Sequence, residues 1–282
     1  MGVISFCSGD IYKGITSILY ENLFSSDVDL LGLYEKMMLG FEDNNIIGKY
    51  KSDFIVSKKD IIGHGELLLK KETHNLGIDL PIYFGDYNQS KNKIMIVAMD
   101  AKRSNQSNDD VVIGSVFSLN TLEARVTNRN DYWKFIEPMT MENFVYLTDV
   151  FKLYYETYNS KNGKQVKVLS NKDKDYTDKN SHAFSINKSI LEAEIDIVKP
   201  NTIIALGKES ASALKTLQGI KTTGSDINHN GIQHIFMPHI SRTVTQNIPT
   251  VANLFIAMGR LKKDKQMITL GEQIKSHKGK LY

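Results

Sequence analysis

The chain has 282 residues, with 35 lysines and arginines against 32 aspartates and glutamates, a net charge of +3, and 41% hydrophobic residues. That composition supports a buried core and excludes a disordered, collagenous or wholly coiled-coil chain. The single cysteine, Cys7, excludes a disulfide framework and any four-cysteine zinc or iron–sulfur site. No apolar run approaches the ~20 residues that a bilayer needs, and the start lacks a basic secretion leader, so a cytoplasmic setting is expected.

In chain order, residues 11–40 predict helix, with Ile15, Ile18, Leu19, Leu23, Leu30, Leu31, Tyr34 and Met37 at helical spacing. Residues 41–90 are mixed and carry turn clusters near Glu42–Asn45 and Tyr87–Asn92. Residues 1–90 are therefore expected to form a largely helical extension packed on a core of residues 91–282. Within the core, four short apolar runs stand out: Lys93–Met99 before Asp100, Phe144–Thr148 before Asp149, Thr202–Leu206 before Gly207, and Gln233–Met237 before Pro238 and His239. Such runs fit strands covered on both faces. Helical patterns at Ser189–Val198 and Glu209–Gln218 separate the later ones. The expected fold class is α/β: three layers around a short four-stranded parallel sheet with right-handed crossovers.

Open α/β sheets bind ligands outside the carboxyl ends of their strands. Those ends carry Asp100, Asp149, Gly207–Lys208 and His239–Ser241, a set of carboxylates, imidazole and hydroxyl around a glycine turn. Each has a plain structural alternative: the aspartates as caps, the histidine as packing, Phe117 as core. Other chemistries are disfavoured. His64 and Glu66 lack the Pro-Cys-x-x-Cys partner of zinc deaminases. His229, His234 and His239 recur every five residues, which fits neither a helical metal pair nor one face of a strand, so no metal is expected. There is no dinucleotide or phosphate-loop motif and no nucleophile elbow around Ser241, so no cofactor is expected.

The run MENFVYLTDVFK (Met141–Lys152) resembles the "YITNVVK" segment of bacterial uracil-DNA glycosylases. ILEAEIDIVKPNTIIALGKESASAL resembles their helix–Pro–strand–Gly–helix element, and PHISR their His-x-Ser motif. MIVAMDAKRS stands in the place of their first, water-positioning motif, and GSVFSL in that of the segment whose aromatic ring stacks on the extruded base. The resemblance to this superfamily covers residues 91–260 in order. It implies a uracil-DNA glycosylase-like fold and a monofunctional DNA glycosylase: Asp100 positions water and stabilises the oxocarbenium-like sugar, and His239 stabilises charge growing on the base O2. Phe117 stacks on the flipped base. Arg103, Ser104, Lys208, Ser241, Arg242 and Thr243 contact DNA, with Arg242 or Thr243 as the wedge.

Two departures bear on the substrate. Asp149 stands where the uracil enzymes have asparagine. A carboxylate accepts from the cytosine amino group and, when protonated, donates to N3, whereas ionised it faces the O4 lone pairs of uracil. Ala101-Lys102 replaces a Pro-Tyr whose ring blocks C5 substituents, so Lys102 leaves room for a C5-modified base. Excision of normal cytosine would destroy the host genome. The expected substrate is therefore a hydroxymethylated or glucosylated cytosine in phage DNA, excised to an abasic site by a monomeric antiviral defence enzyme. The alternatives are a uracil-excising repair enzyme and, from another class, a non-catalytic nucleic-acid-binding α/β module. The lysine-rich segment Ser160–Lys179 is either a solvated loop or a lid, and the basic tail Arg260–Lys280 either follows DNA or is a solvated helix end.

Overall fold

The computed structural model describes residues 9–42, 53–62, 73–100, 110–128, 130–140, 142–159, 164–167, 178, 180–222, 224, 226–237, 239, 256, 265, 268, 269, 271 and 272. In chain order the elements are α1 (Gly9–Asn22), α2 (Leu30–Glu42), β1 (Phe54–Ser57), β2 (Thr73–Leu80), β3 (Ile82–Phe84), β4 (Lys93–Asp100) and β5 (Asp110–Ser115). Then follow α3 (Asn130–Thr140), β6 (Phe144–Phe151), β7 (Leu153–Asn159), β8 (Lys164–Lys167), α4 (His182–Val198), β9 (Thr202–Leu206), α5 (Lys208–Gln218), β10 (Asp226–His229) and β11 (Ile232–Met237).

All four apolar runs form strands, and they join one sheet in the order β10-β11-β9-β4-β6-β3. The inner four are parallel, as expected; β10 and β3 add antiparallel edges. Every residue of β6 and β9 is buried, which is why these strands read as continuous apolar runs rather than alternating ones. The helices between them have clear local causes. Ser181 caps α4, its hydroxyl accepting from the Phe184 amide at 3.1 Å. Lys199, in the left-handed region at φ 47°, ends that helix just before Pro200. The crossovers β6–α4–β9 and β9–α5–β11 run the same way along the sheet, so right-handedness sets both helices on one face, where they touch.

A second sheet, of order β1-β5-β2-β7-β8, was not anticipated. It draws β1 and β2 from residues 1–90 and β5, β7 and β8 from the remainder, while β3 pairs with β6. The extension thus contains the expected helices but is also woven into both sheets, across the boundary at residue 90. Its attachment is close. α1 packs on α4, where a Cβ on Gly14 would lie 2.8 Å from the Ile197 Cδ1 atom. The Tyr34 hydroxyl of α2 donates to the Pro81 carbonyl at 2.8 Å. The chain passes from the first sheet to the second through a single residue, Lys152, between β6 and β7. In the lysine-rich segment, Lys164–Lys167 is strand β8 paired with β7, not loop; its other residues, apart from Asp178, lie outside the described ones.

Candidate functional site

Parallel pairing aligns the carboxyl ends of β11, β9, β4 and β6 on one edge. Met237 is opposite Leu206, Val97 opposite Ala205, and Ala98 opposite Asp149. His239, Gly207, Asp100 and Asp149 are therefore brought to the same edge. Three strand spacings of ~4.8 Å separate β11 from β6, so His239 and Asp149 stand at the two flanks of this edge. One expectation needs correction: Asp149 does not stop its strand. β6 runs on to Phe151, which pairs with Asp100, because apolar Val150 and Phe151 continue the buried ladder. Asp149 is consequently buried, two residues inside the strand end.

At the other flank the site is aromatic. Gly207, at φ 99°, turns β9 into α5, and its amide donates to the Met237 carbonyl at 2.8 Å. A Cβ there would come within 3.2 Å of the His239 Cβ, so the missing side chain lets the histidine segment close over the turn. His239 is exposed, and its Nε2 lies 3.4 Å from the Tyr132 hydroxyl. The Tyr132 ring stacks on Phe117, with centroids 4.3 Å apart and planes 22° apart. Phe117 follows β5 of the second sheet, in a turn where it and Ser118 both have positive φ, 59° and 55°. A bulky residue in that region stores strain, which clusters at functional positions. This turn packs against β6 and β2, so the two sheets together build the site.

The helix that presents Tyr132 is anchored from behind. The next residue, Trp133, packs edge-on against Phe41 of α2 and Phe84 of β3. The buried Arg125 guanidinium lies 3.9 Å from the Phe41 ring centroid and 5.4 Å from that of Trp133, and donates to the Phe41 and Leu119 carbonyls. Burial lowers its pKa to about 10, against an opposing pull from Glu137, so it remains a cation at neutral pH.

Beneath Asp149 lies an ion pair buried to at most 1% exposure, Lys152 with Glu194 of α4. The ammonium donates to both Glu194 oxygens at 2.8 Å, to the Asp149 carbonyl at 2.8 Å, and to the Thr148 hydroxyl. Thr148 and Tyr146 donate in turn to Glu194. Burial first, and the Glu194 charge second, push the Tyr146 phenol well above its ordinary value, so it stays protonated as a donor. The Lys152 amide donates to Asn187 at 2.9 Å, a second tie to α4. The arrangement fixes the backbone on both sides of Asp149.

Lys208 is exposed at the first position of α5. Asp100 closes β4; its side chain, with Lys102, Arg103, Ser104, Ser241, Arg242 and Thr243, lies outside the described residues, as do His64, Glu66 and most of the basic tail. Among the described residues, no group of three histidines, cysteines or carboxylates could hold a metal ion, and no helix is long and apolar enough to cross a membrane. A scan against protein-family models gives no match for this chain, and a search of curated proteins likewise gives none.

Proposed function

We propose that the chain is a monofunctional DNA glycosylase of uracil-DNA glycosylase-like, three-layer architecture, acting on a C5-modified cytosine in phage DNA. The observation that carries the reading is the shared edge: parallel strands bring Asp100, Asp149 and His239 to one end of the sheet, and the turn after β5 of the second sheet sets Phe117 against Tyr132, the neighbour of His239. In this reading Asp100 orients water toward the sugar C1′ and takes its proton as the glycosidic bond breaks. The bonding pair leaves with the base, and His239 donates toward the base O2, where the charge develops. Asp149 reads the amino edge of cytosine, on a backbone that Lys152 and Glu194 hold still. Phe117 supplies the stacking surface. Lys102 leaves C5 open, and Arg103, Ser104, Lys208, Ser241, Arg242 and Thr243 grip the phosphates around the extruded nucleotide.

The test is a panel of oligonucleotides carrying uracil, cytosine, 5-hydroxymethylcytosine or its glucosylated form, each assayed for alkali-labile breaks. Breaks confined to the modified cytosines are expected. Cleavage of uracil alone turns the assignment to repair, and the absence of cleavage on every base turns it to a non-catalytic binder.

A further inference from the structure

The two contacts that a flipped base would make are already made by a side chain of the protein. Tyr132 lies over Phe117 at 4.3 Å with an interplanar angle of 22°, the geometry of a stacked base, and turns its one polar atom to within 3.4 Å of His239 Nε2. We propose that Tyr132 is a gate: it occupies the seat of the base, and a nucleotide is admitted when its base displaces the phenol from both Phe117 and His239. This rests on the glycosylase reading and extends it to a residue that neither motif nor spacing singles out.

The phenol resembles a nucleobase in the respects that matter here, with a flat π face and an oxygen at its edge, so the two compete for one surface. Each contact is weak enough to exchange. The oxygen–nitrogen separation is at the long end of hydrogen bonding, and Tyr132 is half-buried rather than locked in the core. The backbone behind it is held, because Trp133 is wedged between Phe41 and Phe84. Displacement therefore falls to the Tyr132 side chain, not to helix α3.

Occupancy of the seat reduces apparent affinity by the fraction of molecules that are open. Replacing the gate should then lower KM and leave kcat almost unchanged. With the glucosylated-cytosine oligonucleotide as probe, Tyr132→Ala should raise kcat/KM about three- to tenfold, the equivalent of losing one aromatic stack, nearly all of it in KM. Tyr132→Phe keeps the stack and loses the His239 contact, and its rise should be smaller, about twofold, on the scale of one weak hydrogen bond. An unchanged or lower kcat/KM for Tyr132→Ala, with an active wild type, overturns the gate and leaves the glycosylase standing, since Tyr132 is then a wall on which the base leans. A wild type inactive on the whole panel removes the glycosylase reading and the gate with it. If Tyr132→Ala does not fold, Tyr132→Phe decides: a fall in KM supports the gate, and no change overturns it.

Discussion

The two flanks of the strand-end edge solve opposite physical problems. Under Asp149, a lysine, a glutamate, a threonine and a tyrosine are shut away from water and satisfy one another. Around His239, the polar groups stay near solvent, and the contacts to Tyr132 and from Tyr132 to Phe117 are long or stacked. A buried network of charges tolerates no partial loss, because each remaining member is left desolvated and unpaired. A half-exposed aromatic cluster loses little when one member goes, because water replaces it. The first flank fixes a position, and the second is free to change partners.

Removing one member of the buried pair is the most severe way to break this contrast. Lys152→Met should cost about 3–5 kcal/mol of stability, read as a fall in the urea midpoint, and Glu194→Gln should also destabilise the chain. The double variant Lys152→Met/Glu194→Leu should recover part of the loss: no buried charge is left uncompensated, but the Tyr146 and Thr148 hydroxyls lose their acceptor and the Asp149 carbonyl its donor. A single variant within 1 kcal/mol of wild type, a value below that of breaking any buried pair, would mean that the pair is not the lock described above.

His239→Ala should do the reverse. Its exposure predicts a stability change within about 0.5 kcal/mol, while excision should slow on the order of a hundredfold or more, as when one oxyanion donor is removed. An unaltered rate would take His239 out of the chemistry.

Asp149 joins the buried network to the proposed base pocket, which makes its substitution more discriminating. Its carbonyl is part of the buried network, whereas its side chain is the proposed reader of the base. Asp149→Asn leaves the carbonyl in place, so the fold should survive, and the amide should move preference from modified cytosine toward uracil by about tenfold, one hydrogen-bond pattern exchanged for another. A uniform loss on every base would assign Asp149 to structure alone.

How much of this was legible follows from the same contrast. Strands β6 and β9 were readable because burial on both faces forces unbroken apolar runs, and the helices α4 and α5 because their apolar stripes recur at helical spacing. The second sheet was not: β2 contains Asn75, Gly77 and Asp79, and β7 contains Glu156 and Thr157, which blur any period. The buried pair did leave a trace. Lys152 interrupts Val150-Phe151-Lys152-Leu153-Tyr154, and Glu194 sits on the apolar stripe of Leu191 and Val198, and a charge on an apolar face implies a partner. Tyr132 left none, because its meaning depends on Phe117 and His239, which arrive from other elements.

The smallest effect concerns a second histidine, within the strand that His239 follows, and it sharpens the contrast by leaving the site alone. His234 is buried in β11, with Nδ1 3.0 Å from the Ile232 carbonyl and Nε2 2.7 Å from the Gln218 side-chain amide, beside a cleft of about 460 Å³ that Glu192, Asp196 and His229 also line. Burial, followed by the neighbouring His229, lowers its pKa from the ordinary 6.5, although the Ile232 hydrogen bond pulls the other way. Below 6.5 the unfolded chain therefore takes up the proton more readily than the folded one. The contribution of His234 to stability is complete above that value and is lost as pH falls toward the lowered one. Wild type should lose more Tm between about pH 7.5 and pH 5.5 than His234→Gln does, with equal excision at neutral pH. Parallel Tm curves would show that His234 does not resist protonation, and a change in excision would extend the catalytic edge to the middle of β11.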